Sequence, residues 1–290
     1  KLGVIGRETS EFIDFLAKSG QKYWQILPVS PTDEYGSPYA GISAFAGNIN
    51  LFDQAAMEKV ISECDGPQSK RAAEYQAFLA RNSYWLDSYA AFCAIKDLLG
   101  EGVWQEWPKQ YRSWSPEFLE RPELAQAIEL HRKHQFAFDV IWGQTLAEAR
   151  AKGIQIIGDM PMFVSEDSAD VWAHPELFAL DDTGHTELQA GAPADAFSQD
   201  GQLWGNPTYN WQAHKDEGYR WWIDRFRRSF YLYDYTRLDH FIGFTSYYAI
   251  EQGKTAAGGS FKFGPGYELF EVAYKQLGPL PFIAEDLGAV

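Results

Sequence analysis

Two stretches that each read as a short buried strand ending in a carboxylate constrain this chain most: Tyr235-Thr236-Arg237-Leu238-Asp239 and Phe282-Ile283-Ala284-Glu285. A buried strand is a costly place for an acid, because desolvation penalises the charged form. Two successive strands that finish this way predict a sheet or barrel with acids displayed along one rim. Ile154-Gln155-Ile156-Ile157-Gly158-Asp159 repeats the pattern earlier in the chain. Paired carboxylates at such a rim are the apparatus of glycosidic bond chemistry.

The segments between these runs alternate in kind. Glu11 to Ser19 has helical periodicity, and Tyr23 to Val29 reads as a buried strand closed by Pro28. Residues 30–50 form a loop rich in Gly, Pro, Ser and Tyr. From Ala55 to about Arg150 the pattern is helical, with two long stretches, Lys70 to Leu99 and Pro122 to Ala151. This predicts a helical insertion subdomain over 52–152. Residues 165–211 have little periodicity and read as a long functional loop. An amphipathic helix is expected over Lys215 to Tyr233, and a Gly-rich link over Gly253 to Gly266 before a helix at Tyr267 to Leu277. Strands that alternate with helices give a parallel α/β architecture. Acids at strand C-termini favour a (β/α)8 TIM-type barrel, whose sites collect at that face. An open doubly wound sheet is the alternative. Gly253-Lys254-Thr255 mimics the tail of a phosphate loop, but Tyr248 stands where its first glycine belongs.

Composition narrows the function. The 290 residues are 46 % hydrophobic, enough for a sizeable core, and the formal net charge is −15. That balance opposes nucleic acid and anionic membrane surfaces and leaves a neutral sugar unopposed. Cys64 and Cys93 are the two cysteines, too few for a disulfide scaffold, so a reduced cytoplasmic protein is expected. No His/Cys/Asp cluster has metal-ligand spacing, and no cofactor motif is present. Eleven Trp within 16 % aromatics serve either a large aromatic core or stacking platforms for sugar rings.

Strand alternation puts Arg237 and Asp239 on one face. The arginine is expected to hold Asp239 ionised, as a nucleophile or a stabiliser of an oxocarbenium ion requires. The apolar approach and acidic neighbour of Glu285 favour a raised pKa and a general acid. The plainer alternative is a buried Arg237–Asp239 ion pair. His240 either bonds substrate hydroxyls or is a satisfied core histidine.

These residues carry a resemblance. The chain resembles the 4-α-glucanotransferases (amylomaltases, or disproportionating enzymes) of glycoside hydrolase family 77. The matching stretches run in family order: Tyr23-Trp24-Gln25-Ile26-Leu27-Pro28, Ser37-Pro38-Tyr39, Ser43 to Asn48, Gly158-Asp159-Met160-Pro161, Asp167 to Phe178, Gly201 to Pro207, Arg237 to Phe241 and Ala284 to Gly288. The resemblance implies a retaining mechanism that transfers α-1,4-glucan from a donor to a glucose or maltooligosaccharide acceptor, without a cofactor. Asp239 matches the family nucleophile and Glu285 the acid/base. Arg237 and His240 match residues flanking the nucleophile. Asp159 and Tyr39 match positions around the sugar whose bond is cut. Asp195, Phe197, Gln202, Trp204 and Asn206 match the loop that covers the cleft, with Phe197 and Trp204 as stacking candidates.

Family members carry a further strand ahead of position 1 and more strands beyond 290, one with a third essential aspartate in a Gly-Thr-His-Asp motif. The chain is therefore expected to hold about strands two to five of an eight-stranded catalytic barrel. An α-amylase-type hydrolase with the same acids, and a glucan-binding protein without turnover, are the competing readings.

Overall fold

The computed structural model describes residues 3–33, 35–64, 69–100, 102–195 and 198–285. The chain forms two compact units, residues 1–38 with 45–157 and residues 39–44 with 158–290.

The first unit begins with α1 (Arg7–Lys18), β1 (Tyr23–Gln25), α2 (Gln54–Ser62), α3 (Ala72–Leu99) and α4 (Pro122–Ala151). It ends in the first half of β2 (Gln155–Met160), which pairs in parallel with β1 in the register Trp24↔Ile156. Two structural reasons explain the long helices. The first half of α3 buries Tyr75, Phe78, Asn82, Trp85 and Leu86 at helical spacing, and Tyr89 to Ile95 is buried all round. On α4, Leu124, Ile128, Phe136, Phe138 and Trp142 are buried likewise. The Phe78 and Phe136 rings meet edge to face at 5.4 Å. A ring such as Phe138, with no exposed surface, contributes up to about 3 kcal/mol by burial alone. Buried Gln135 spends both ends of its amide on Gly47: Oε1 accepts from the N–H at 2.8 Å and Nε2 donates to the carbonyl at 2.9 Å.

The second unit holds the rest of β2, then α5 (Ala169–Ala173), β3 (Leu188–Ala192), β4 (Gln202–Pro207), α6 (Trp211–Asp216), α7 (Arg220–Leu232), β5 (Tyr235–Leu238), β6 (Ser246–Glu251), β7 (Ser260–Phe263), α8 (Tyr267–Leu277) and β8 (Phe282–Ala284). Its parallel strands follow the order β2-β5-β8, with Arg237 opposite Ile283. The connections through α7 and α8 are βαβ crossovers, as parallel strands require. Trp222, Phe226 and Leu269 are fully buried, and Phe226 packs edge to face on Phe282 at 4.8 Å.

Four expectations change here. The 165–211 stretch is not a plain loop: it contains α5, β3 and β4, and β3 is the inner partner of a second, antiparallel sheet ordered β4-β3-β6-β7. The Gly-rich link contains β7, so the architecture is not parallel throughout. The helix expected over Lys215 to Tyr233 is broken at Tyr219, whose φ of 57° is left-handed, into α6 and α7. The strand expected over Tyr23 to Val29 is regular only at Tyr23–Gln25. Among the described residues, no helix is long and apolar enough to cross a membrane.

Candidate active site

The parallel strands of the second unit deliver three acids to one end. Asp159 is the fifth of six residues of β2, Asp239 follows β5 directly, and Glu285 follows β8. The ladder runs past the strands to fix them: the Asp239 N–H donates to Met160 O at 3.0 Å and the Glu285 N–H to Leu238 O at 3.2 Å. On β5, Thr236 and Leu238 are buried, so alternation turns Arg237 to the side of Asp239.

Arg237 binds all three acids. Its Nη1 donates to Asp159 Oδ1 at 2.7 Å. Its Nη2 lies 3.0 Å from Asp239 Oδ1 and also bonds Glu285 Oε1. Two oxygens on one nitrogen stand no more than two hydrogen-bond lengths apart, about 6 Å. The other Glu285 oxygen, Oε2, accepts from the His240 backbone N–H at 2.7 Å. The Tyr39 hydroxyl donates to Asp159 Oδ2 at 2.7 Å. The segment carrying Tyr39 is held from α5, where Asp170 Oδ2 accepts from the Ala44 N–H at 2.8 Å and the Ala169 N–H donates to Ile42 O at 2.9 Å. The Asp159 side chain is 3 % exposed and that of Asp239 is 29 % exposed, so Asp239 is the more accessible of these two.

The electrostatics correct one expectation. The arginine is where alternation puts it, yet the Asp239 carboxyl is pushed up to about 6. Burial is the first cause, followed by the like charges of Glu285 and Asp159, and Arg237 only partly opposes them. One cation divided among three acids cannot hold each of them low. Burial also works against the charge on Arg237, but the bond to Asp159 and the three negative charges outweigh it and its pKa rises. The Tyr39 phenol is raised by burial and by its bond to Asp159, so it remains a donor. Burial pushes the His240 imidazole down, against the charge of Glu285.

An aromatic wall stands beside the acids. The His240 ring meets Trp204 of β4 edge to face at 5.1 Å, and Phe163 lies 6.1 Å from Trp204 and 6.3 Å from His240. Gln202 Oε1 accepts from the Trp204 indole N–H at 2.9 Å, and Asn206 Nδ2 donates to Val164 O at 2.9 Å. The structure thus brings Tyr39, Asp159, Arg237, Asp239, His240 and Glu285 into one network, with Gln202, Trp204 and Asn206 along β4 next to it. Asp195 is exposed and accepts from the Ser198 N–H at 2.7 Å in the turn before β4. Phe197 lies outside the described residues. Sequence reasoning missed the place of Phe163 against Trp204 and His240; its position four residues beyond Asp159 was the available signal. Among the described residues, no group of three or more His, Cys, Asp or Glu side chains is arranged to hold a metal ion.

Comparison with known proteins identifies the family. The model of the family described as 4-alpha-glucanotransferase, glycoside hydrolase 77, matches residues 1–64 and 53–290. The chain belongs to that family. A 4-alpha-glucanotransferase of Streptococcus pneumoniae is 39 % identical over 99 % of this chain and 64 % of its own length. One from Thermus thermophilus is 38 % identical over 100 % of this chain and 65 % of its own length. The solved amylomaltase of Streptococcus agalactiae, a complex with acarbose, superposes with a TM-score of 0.88 at 39 % identity, covering 99 % of this chain and 66 % of that one. The amylomaltase of Corynebacterium glutamicum, at 17 % identity and a TM-score of 0.77, shares the fold. The fold class is thus the TIM-type α/β barrel of the family, and β1, β2, β5 and β8 are its parallel strands here. The chain spans a little less than two thirds of the length of the Streptococcus and Thermus relatives.

Proposed function

We propose that the protein transfers segments of α-1,4-glucan between maltooligosaccharides by a retaining double displacement. The observation that carries this reading is the shared nitrogen of Arg237. It limits the nearest oxygens of Asp239 and Glu285 to about 6 Å. Retaining pairs stand about 5–5.5 Å apart, and inverting pairs, which must admit a water, about 6.5–9.5 Å.

In the first step Asp239 attacks the anomeric carbon and the bond to the glycosidic oxygen breaks. Glu285 gives its proton to that departing oxygen. In the second step the hydroxyl of an acceptor sugar passes its proton to Glu285 and displaces Asp239 from the anomeric carbon. The His240 N–H and Arg237 hold the Glu285 carboxylate in place between the steps. Tyr39 and Asp159 border the sugar being transferred. The segment that includes Asp195, Gln202, Trp204 and Asn206 covers the cleft, and the Trp204 indole is a face for a sugar ring. Enclosure keeps water scarce near the glycosyl intermediate and favours a bound acceptor. Residues 52–152 are a helical insertion in the catalytic barrel. We take the reaction to be cytoplasmic; two free, buried cysteines, Cys64 and Cys93, support that reading.

The test is product analysis with maltotriose. Glucose together with oligosaccharides longer than maltotriose supports transfer. Glucose and maltose alone make the protein a hydrolase. Binding without turnover, unchanged in Asp239→Asn, makes it a glucan-binding protein and ends the reading.

A further inference from the structure

The turn that leaves β2 has a donor on almost every carbonyl. Met160 O accepts from the Asp239 N–H at 3.0 Å. Pro161 O accepts from Arg225 Nη2 at 2.5 Å. Met162 O accepts from Arg225 Nη1 at 3.1 Å and from the Tyr209 hydroxyl at 2.7 Å. Val164 O accepts from Asn206 Nδ2 at 2.9 Å. Arg225 and Tyr209 are each 3 % exposed. The guanidinium carbon sits 5.2 Å and 5.1 Å from the ring centroids of Trp221 and Trp222.

A guanidinium buried among tryptophans is a costly way to fill space, since a charge taken out of water loses its hydration and an apolar side chain would not. What arginine supplies that leucine cannot is a rigid fork, able to hold two successive carbonyls at once. The fork is spent on the one turn that links both halves of the site. At its start stand Asp159 and the carbonyl that receives the Asp239 N–H. Three residues on, the Phe163 ring stacks on Tyr209 at 5.7 Å and faces Trp204 and His240. A slip of the turn moves the nucleophilic acid and the aromatic wall together.

We propose that Arg225, aided by Tyr209, is a positioning residue for glycosyl transfer. It fixes residues 160–164, and so sets how often the intermediate passes to a sugar instead of water. The inference rests on the transfer reading above and adds residues that touch no substrate.

The test measures the ratio of hydrolysis to transfer with maltotriose in Arg225→Lys and Tyr209→Phe. Hydrolysis creates new reducing ends and transfer does not, so the ratio of reducing-end gain to glucose released is independent of how much protein is folded. Tyr209→Phe keeps the ring and the guanidinium and removes one hydroxyl. The hydrolytic share should rise about three- to tenfold in both variants, more in Arg225→Lys, whose ammonium lacks the fork. An unchanged ratio in both, with rates that fall only in step with the folded fraction, would reduce Arg225 to a packing residue and overturn the proposal. Amide exchange over 160–164 separates the two readings. If the wild-type protein transfers nothing, the functional reading falls; if exchange there is unchanged in Tyr209→Phe, the clamp falls whatever the activity.

Discussion

The backbone N–H of His240 holds Oε2 of Glu285 at 2.7 Å, so the residue following Asp239 in the chain secures the other acid of the pair. His240 makes this bond from a left-handed conformation, φ 47° and ψ 46°. Asparagine tolerates that region and a β-branched residue does not. His240→Val should therefore cost about 1–2 kcal/mol more in denaturant unfolding than His240→Asn. It should also lose more transfer activity. Equal stability of the two variants would show that the backbone conformation is not what matters.

Burial and two neighbouring acids push the Asp239 carboxyl up to about 6, and in the proposed role of nucleophile it works only when ionised. The value of kcat/KM on maltotriose should rise roughly tenfold from pH 5 to pH 7. The charge of Arg237 and its hydrogen bond pull this pKa down. Arg237→Gln should move the acid limb of the profile to higher pH. A limb that stays in place, or moves lower, would mean that another group sets it.

Stability should run the other way. The folded-state pKa of Asp239 lies above the ordinary aspartate value of 3.8. Its contribution is therefore fully present below about pH 4 and is lost as pH rises through about 6. Asp239→Asn removes a carboxyl that the fold would rather keep neutral. The variant should unfold at higher denaturant than the wild type at pH 8, by about 1–3 kcal/mol, with the difference vanishing towards pH 4. Unfolding curves at pH 4, 6 and 8 check the sign; a variant less stable at pH 8 contradicts it.

The acids were legible because each closes a short strand-like run, Asp239 after the alternating Tyr235-Thr236-Arg237-Leu238 and Glu285 after the apolar Phe282-Ile283-Ala284. Their charge state was not. The sequence presents one arginine two residues from one aspartate; that Asp159 and Glu285 draw on the same guanidinium depends on strand order. The antiparallel sheet was hidden for a different reason. Leu188–Ala192 and Gln202–Pro207 are poor in β-branched residues and contain Gly, Asn and Pro, so neither announces a strand. They are strands because β3 is paired on both sides, with β4 and with β6. Pairing partners distant in sequence overrode local preference.

Gly158 stands beside Asp159 on β2, and a Cβ there would lie 2.2 Å from the Tyr233 ring, which is itself buried. The ring follows α7 and cannot withdraw without disturbing the helix end. Gly158→Ala should destabilise by about 1–3 kcal/mol, as overpacking does. Thermal unfolding measures it, and a neutral result would show that Tyr233 has room to move.

Three carboxyl groups and one guanidinium leave the strand ends with an excess of acid. A glucose unit brings no charge to that place and meets no repulsion. A uronic acid ring of the same shape would add a fourth carboxylate beside the other three. On the transfer reading proposed above, the arrangement that lets Arg237 gather the acids would also be a filter, one that disfavours anionic sugars before any hydroxyl is read.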